Sequence, residues 1–212
     1  RGGPETAVRD WLAGLDEAEA DQLIGGFNQK TLRKWKRDHP GHRSFAVLRH
    51  PVARAHAAFC DKILSTAPGS YVEIRKILRQ QFKLDIPNGE PDASYTRQRH
   101  RAAFLGFLQF VKANLASQTA IRVDPFWASQ STVLQGFSDF AMPDMIIRED
   151  RMEDDLAFLA AQIGKATMPA VGDVTDPHAA RLAEIYDKDV EKAARDVYAR
   201  DYMTFGFSDY AA

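Results

Sequence analysis

Cysteine is almost absent from this chain, because Cys60 is the only one among 212 residues. A single thiol excludes a disulfide framework within the chain and is typical of a reducing compartment, so we expect a cytoplasmic protein. The sequence also lacks a cluster of cysteine and histidine residues with metal-ligand spacing, so we expect no metal site. Cys60 lies in a predicted helix without a visible triad, which argues against a thiol nucleophile.

An excess of charge of one sign is also missing. The 28 lysine and arginine residues against 29 aspartate and glutamate residues leave a net charge of −1. This balance argues against general nucleic-acid binding, and it leaves the recognition of an anionic substrate to local arginines. No apolar run approaches the length of about 20 residues that a membrane span needs, and no signal peptide is visible.

Short apolar runs alternate with amphipathic stretches, which predicts a helix-rich α/β fold with a parallel sheet and helices on both of its faces. Strands are predicted at residues 45–48, 119–123 and 145–148. Helices are predicted at residues 4–17 with a continuation to 24, then at 31–38, 51–64, 70–82, 95–115, 127–134, 151–163 and 176–200. Asp176 is expected to cap the last helix. The length of 212 residues suffices for a single domain over residues 1–212.

The most informative stretch joins the first predicted strand to the following helix. The strand ends at Arg49, Pro51 begins the helix, and Arg54 lies in the first helical turn. A strand that runs into a helix N-terminus favours anions, and an arginine fork there suits phosphate. We expect Arg49, Asp124 and Glu149 near the carboxyl edge of the sheet, where such folds bind ligands. Taken alone, an ion pair with a carboxylate is the simpler interpretation of Arg49.

The stretch from residue 49 to residue 62 resembles a motif of the sulfotransferases that use 3′-phosphoadenosine 5′-phosphosulfate (PAPS), in particular the membrane-type carbohydrate sulfotransferases and their bacterial relatives. The family motif reads roughly Arg-Asp-Pro-Phe-x-Arg-x-x-Ser-Ala-Tyr-x-Asp-Lys, and the residues that match it are Arg49, Pro51, Arg54, Ala58, Asp61 and Lys62. The resemblance implies that Arg49 binds the 3′-phosphate of the nucleotide. The family serine that shares this phosphate falls on Ala57, which would weaken cofactor binding.

Later segments extend the resemblance to about residues 40–207. A family element Trp-x-x-Gln matches Trp127 to Gln130, although the usual histidine before the tryptophan is Phe126. The resemblance implies that Trp127 lines an acceptor pocket, whereas its size alone favours core packing. Glu149 matches a strand-end carboxylate of the family, with a structural role or a secondary role as general base.

A sulfuryl transfer needs a base for the acceptor proton, and histidine fits this role near neutral pH. His100 lies among Arg97, Arg99 and Arg101 on the predicted helix 95–115. In some carbohydrate sulfotransferases a histidine on a comparable helix is the base, so the resemblance makes His100 the catalytic candidate. Arg97 and Arg101 are then the candidate contacts of an anionic saccharide. The simpler interpretation of all four residues is a solvated basic face.

The resemblance also implies a P-loop-like sulfotransferase fold whose phosphosulfate loop, of the pattern Pro-Lys-Thr-Gly-Gly-Thr-Ser, precedes the stretch with which this chain begins. The nearest lookalike, residues 25–31, follows an acidic helical segment and is interpreted as a loop between helices. We therefore expect an N-terminally incomplete domain.

Two functions remain open. One is a sulfotransferase that moves a sulfuryl group from PAPS to a hydroxyl of a carbohydrate-like acceptor. The other, which Ala57 and Phe126 favour, is a non-catalytic nucleotide- or saccharide-binding domain on a degenerate sulfotransferase fold. In both cases the expected partners are a small-molecule nucleotide and a saccharide-like acceptor, without nucleic acid and without a metal.

Overall fold

The computed structural model describes residues 4–15, 23–138, 142–165, 169–172 and 174–210. The strands are β1 (Phe45–Leu48) and β2 (Met145–Arg148). The helices are α1 (Pro4–Leu15), α2 (Gln29–Asp38), α3 (Pro51–Ala58), α4 (Val72–Gln81), α5 (Arg97–Leu115), α6 (Gln130–Ser138), α7 (Met152–Gln162), α8 (Ala179–Ile185) and α9 (Lys188–Phe205). A π-helical turn, Phe59–Leu64, continues α3, and a 3₁₀ turn, Glu149–Arg151, precedes α7.

The chain divides into two compact units, each made of two stretches. We call residues 1–49 and 134–177 the sheet unit, and residues 50–133 and 178–212 the helical unit. The prediction of a single domain over residues 1–212 stays a prediction. Among the described residues, every helix is too short or too polar to cross a membrane.

In the sheet unit, β1 and β2 pair in parallel, with Phe45 opposite Met145 and Leu48 opposite Arg148. Largely apolar runs form both strands, as predicted at residues 45–48 and 145–148. The core of this unit packs Ile147 of β2 against the buried stripes of α1 and α7. These stripes recur at helical spacing and comprise Ala7, Trp11 and Leu15 of α1 and Met152, Leu156, Leu159 and Ala160 of α7.

In the helical unit, α5 supplies three aromatic residues of the core. Phe104, Phe107 and Phe110 are fully buried there, and Tyr198 of α9 is buried as well. The helix predicted at residues 51–64 is confirmed as α3 with its π-helical continuation. Pro51 stands at the first helical position, where its missing N–H has no intrahelical partner to lose.

The strand predicted at residues 119–123 is wrong. The Asn114 side chain donates to the hydroxyl of Thr119 and to the carbonyl of Ile121, at 2.8 and 2.6 Å. It thus supplies the backbone hydrogen bond that a neighbouring strand would otherwise supply. Arg122 and Val123 are both exposed, so the alternation of apolar and polar residues in this segment does not give one buried face and one exposed face. The parallel sheet of the described residues therefore consists of β1 and β2.

The single last helix predicted at residues 176–200 is wrong as well. The chain forms two helices, α8 and α9, and Asp187 begins the second by accepting from the amides of Asp189 and Val190. Asp176 binds Arg49 instead of capping a helix. The predicted continuation of the first helix to residue 24 lies mostly outside the described residues, and residues 25–28 form the loop that precedes α2.

Candidate functional site

Arg49 lies at the carboxyl end of β1, where its guanidinium binds two carboxylates. Its Nε atom donates to Glu149 at 3.0 Å, and its Nη2 atom donates to Asp176 at 2.7 Å. Leu48 pairs with Arg148 in the parallel register, so Arg49 and Glu149 occupy the next position of neighbouring strands. The predicted meeting of Arg49 and Glu149 at one sheet edge is confirmed. Asp124 falls in the helical unit, and its position near that edge stays a prediction.

Burial governs the electrostatics of this triad, because the three side chains expose only 16%, 19% and 11% of their surface. Burial opposes the charge of Arg49, but attraction to Glu149 and Asp176 outweighs it and raises the arginine pKa. Burial also raises the pKa of Glu149, against the attraction of Arg49 and with the repulsion of Asp176. Two carboxylates therefore share one cation, and the raised pKa keeps the guanidinium of Arg49 charged.

The N-terminus of α3, in the helical unit, is capped by a histidine. The His50 Nδ1 atom accepts from the amide of Val52 at 3.3 Å, so its Nε2 atom donates to the carbonyl of Ser208 at 3.1 Å. The imidazole ring packs edge-on against Tyr202 and Phe207. The motif has an aspartate at this position, and here the His50 Nδ1 atom caps the first turn of α3.

Arg54 braces the loop before α6 through its guanidinium. Its two Nη atoms donate to the carbonyls of Ala128 and Pro125, and the first of these distances is 2.6 Å. Trp127, in the same loop, is fully buried, and its indole N–H donates to Asn114 at 2.8 Å. The structure thus buries Trp127 in the core of the helical unit, and its assignment to an acceptor pocket stays a prediction.

The sheet unit thus has an arginine at a strand end, and the helical unit has a helix that begins at a proline and a loop with a buried tryptophan. The model of the sulfotransferase family matches residues 17–208, which is most of the chain. The chain belongs to the sulfotransferase family. It is therefore a transferase, from a family whose enzymes move sulfuryl groups. No curated protein and no solved structure matches the chain.

Within this sulfotransferase, the basic stretch at the start of α5 is not a uniformly solvated face. Arg101 donates to Asp187 at 2.7 Å and to Asp189 at 2.8 Å, so two acids compensate its charge. Arg97 is exposed and stays the candidate contact for an anionic acceptor. His100 is only 2% exposed, which corrects its interpretation as part of a solvated face. Its assignment as the catalytic base stays a prediction.

The structure instead brings His100 to two residues that the sequence analysis did not connect with it. His56 and Cys60 lie one turn apart on α3 and its continuation, and all three side chains are buried. The i, i+4 spacing of His56 and Cys60 on a predicted helix was the sequence signal for their contact. Ala57 lies between them in the chain and is half-buried, and its assignment to the nucleotide stays a prediction.

Proposed function

We propose that this sulfotransferase uses PAPS as its donor and a hydroxyl of a carbohydrate-like molecule as its acceptor. The observation that supports this proposal is the position of Arg49 at the end of β1, in the motif stretch of a chain that matches the family over residues 17–208. Transfer between two bound substrates needs positioning and compensation of charge more than covalent chemistry by the protein. A guanidinium fixed at a strand end suits this task.

We infer that Arg49 binds the 3′-phosphate and that the phosphate replaces the carboxylate of Asp176. The Nη2–Oδ2 distance of 2.7 Å is that of a charge-assisted hydrogen bond, and a phosphate oxygen makes the same kind of bond. Glu149, on the Nε atom, keeps the guanidinium oriented during this exchange. Asp176 then acts as a competitor of the nucleotide, because both ligands are anions and one cation serves both.

The exchange predicts opposite effects for two substitutions. Arg49→Ala removes a charge-assisted bond and should weaken binding of adenosine 3′,5′-bisphosphate by about 1.5–3 kcal/mol. Asp176→Asn removes the competing charge and should tighten it. Titration calorimetry at fixed salt measures both effects, since the ligand is highly charged.

The matched control is Arg43→Ala, which removes an exposed arginine that precedes β1. It should leave the nucleotide affinity unchanged. Because Arg49→Ala also leaves Glu149 and Asp176 without their cation, the Asp176→Asn result decides the proposal even if the first variant folds poorly. Equal or weaker binding by Asp176→Asn would contradict the exchange.

For the acceptor, we propose that Arg97 contacts an acidic saccharide, because it is exposed at the start of α5. A radiolabelled sulfate-transfer assay with the intact protein should show a higher KM for acidic acceptors in Arg97→Ala, with little change for neutral ones. Nucleotide binding without transfer to any saccharide would favour the non-catalytic binding domain instead.

A further inference from the structure

A buried cluster of potential metal ligands lies in the helical unit. The Nε2 atoms of His56 and His100 are 2.9 Å apart, and the sulfur of Cys60 lies 3.7 Å from the His56 Nε2 atom. One ligand atom from each of the three residues lies within 4.8 Å of the other two. Helix α3 with its π-helical continuation supplies His56 and Cys60, and α5 supplies His100.

The surroundings of this cluster are apolar and aromatic. His56 is 0%, Cys60 4% and His100 2% exposed, and the rings of Phe59 and Phe104 pack against the imidazoles. The His100 Nδ1 atom is buried and lacks a hydrogen-bond partner among the described residues. Burying polar groups in such surroundings is costly unless their partners compensate them. The hydrogen bond between the two Nε2 atoms offsets part of this cost, whereas the His100 Nδ1 atom is left uncompensated among the described residues.

Two of the three donor-atom separations fit a tetrahedral transition-metal ion, and the third, between Cys60 and His100, lies within 4.8 Å. Bonds of about 2.0–2.1 Å to nitrogen and about 2.3 Å to sulfur set ligand separations of about 3.3 Å between nitrogens and about 3.6 Å between nitrogen and sulfur. The observed 2.9 and 3.7 Å lie within a few tenths of an ångström of these values. We propose that His56, Cys60 and His100 bind a divalent ion of the Zn²⁺ type, with a non-protein ligand completing the shell.

The charges around the cluster bear on an ion bound there. The nearby charge of Arg181 opposes a cation, and the thiolate of Cys60 would offset it. His178 binds Asp61 at 2.7 Å and is not counted among the ligands.

The ion would act as a structural brace between α3 and α5, because the buried cluster offers no surface to an acceptor. It would replace the contact between two neutral imidazoles with coordination bonds that hold both helices. A ligand that binds only the folded state raises the melting temperature by mass action, so the metal should stabilise the intact protein in a concentration-dependent way.

The test uses the intact protein, stripped of metal by dialysis against a chelator, and titrated with Co²⁺ and with Zn²⁺. We expect saturable uptake of one Co²⁺ per chain with visible d–d bands and a thiolate charge-transfer band, and displacement of these bands by Zn²⁺. Cys60→Ser should abolish the charge-transfer band, and His100→Gln should weaken Co²⁺ binding by at least about tenfold.

The control is His39→Gln, because His39 is an exposed histidine of the sheet unit. It should leave uptake and spectrum unchanged. The wild-type melting temperature in increasing Zn²⁺ gives a measurement that needs no variant, and it should rise. The proposal is wrong if the wild type takes up no Co²⁺ saturably. It is equally wrong if Cys60→Ser keeps the full spectrum, or if His39→Gln reduces it as much as His100→Gln does.

Discussion

A single arginine organises the chain around the first turn of α4. Arg75 is 4% exposed, and its guanidinium donates to four backbone carbonyls. Its Nη1 atom binds Leu64 and Ser65 at 2.6 and 3.1 Å, and its Nη2 atom binds Pro87 and Gly89 at 2.6 and 2.7 Å. Arginine fits because its planar fork holds several donors in fixed directions, which lysine does not. The Arg75 side chain therefore gives these carbonyls the hydrogen bonds that a helix or a sheet would otherwise give them.

We expect Arg75→Lys to lower the free energy of unfolding by about 3 kcal/mol or more, since buried carbonyls lose their donors. The matched control is Arg79→Lys, one turn later on the same helix, where the side chain is half-exposed. That variant should change stability by less than about 0.5 kcal/mol. Urea unfolding followed by circular dichroism measures both. Similar stability of the two variants would show that the four contacts contribute little.

At the scale of elements, the two strands were predictable from their apolar runs, whereas a third run predicted a strand that does not form. The FAVL and MIIR runs predicted β1 and β2, and both are confirmed. Residues 119–123 had a similar pattern, but Asn114 satisfies the backbone there. A side chain that takes over a backbone acceptor leaves no periodic trace in the sequence. The same reason explains Asp187, whose side chain begins a new helix within the predicted last one.

The register of the β1–β2 pair is held by a contact just before both strands. The Asp144 carboxylate accepts from the amide and from the hydroxyl of Ser44, each at 2.7 Å. The hydroxyl and then the amide of Ser44 hold the pKa of Asp144 below its usual value. A carboxyl group with a lower pKa in the folded state stabilises the fold above its unfolded-state pKa, and this contribution disappears as the pH falls through the folded-state pKa.

We therefore expect the wild type to lose more stability than Asp144→Asn as the pH falls from about 5 to about 2, the range around and below the ordinary aspartate pKa. The reason is that asparagine has no proton to gain. Melting temperatures measured across this range give the comparison, with Asp154→Asn, an exposed acid on α7, as control. Parallel pH profiles of wild type and Asp144→Asn would contradict a stabilising role for the ionised carboxylate.

At the scale of the whole molecule, the sequence predicted the family and the arginine at the strand end, but not the partners of the side chains. Glu149 was expected near Arg49 because parallel strands end at one edge. Asp176, far along the chain, was expected to cap a helix and binds Arg49 instead. The approach of His100 to His56 also depends on how two helices pack. Local periodicity gives the buried face of a helix, whereas the identity of the neighbour across that face depends on the complete fold.

Asp201 is the clearest case of a long-range partner. It is 0% exposed on α9, and its two carboxylate oxygens accept from the amides of Gln130 and Ser131 at 2.7 and 2.9 Å. It thus caps the N-terminus of α6 from a position 70 residues later in the chain. Because α6 begins at Gln130 and not at Trp127, this distant cap also explains the error in the predicted start of the helix.

We expect Asp201→Ala to lower the free energy of unfolding by about 2–4 kcal/mol, because it removes a cap and leaves two buried amides without acceptors. Asp201→Asn, which keeps one carbonyl oxygen, should cost less. The control on the same helix is Asp196→Ala, because Asp196 forms only a 3.5 Å surface pair with Lys112. Such a pair contributes at most about 1 kcal/mol, so this variant should stay near the wild type. Urea unfolding of the three variants measures the order of their stabilities. Equal losses for Asp201→Ala and Asp196→Ala would show that the cap does not stabilise the helical unit.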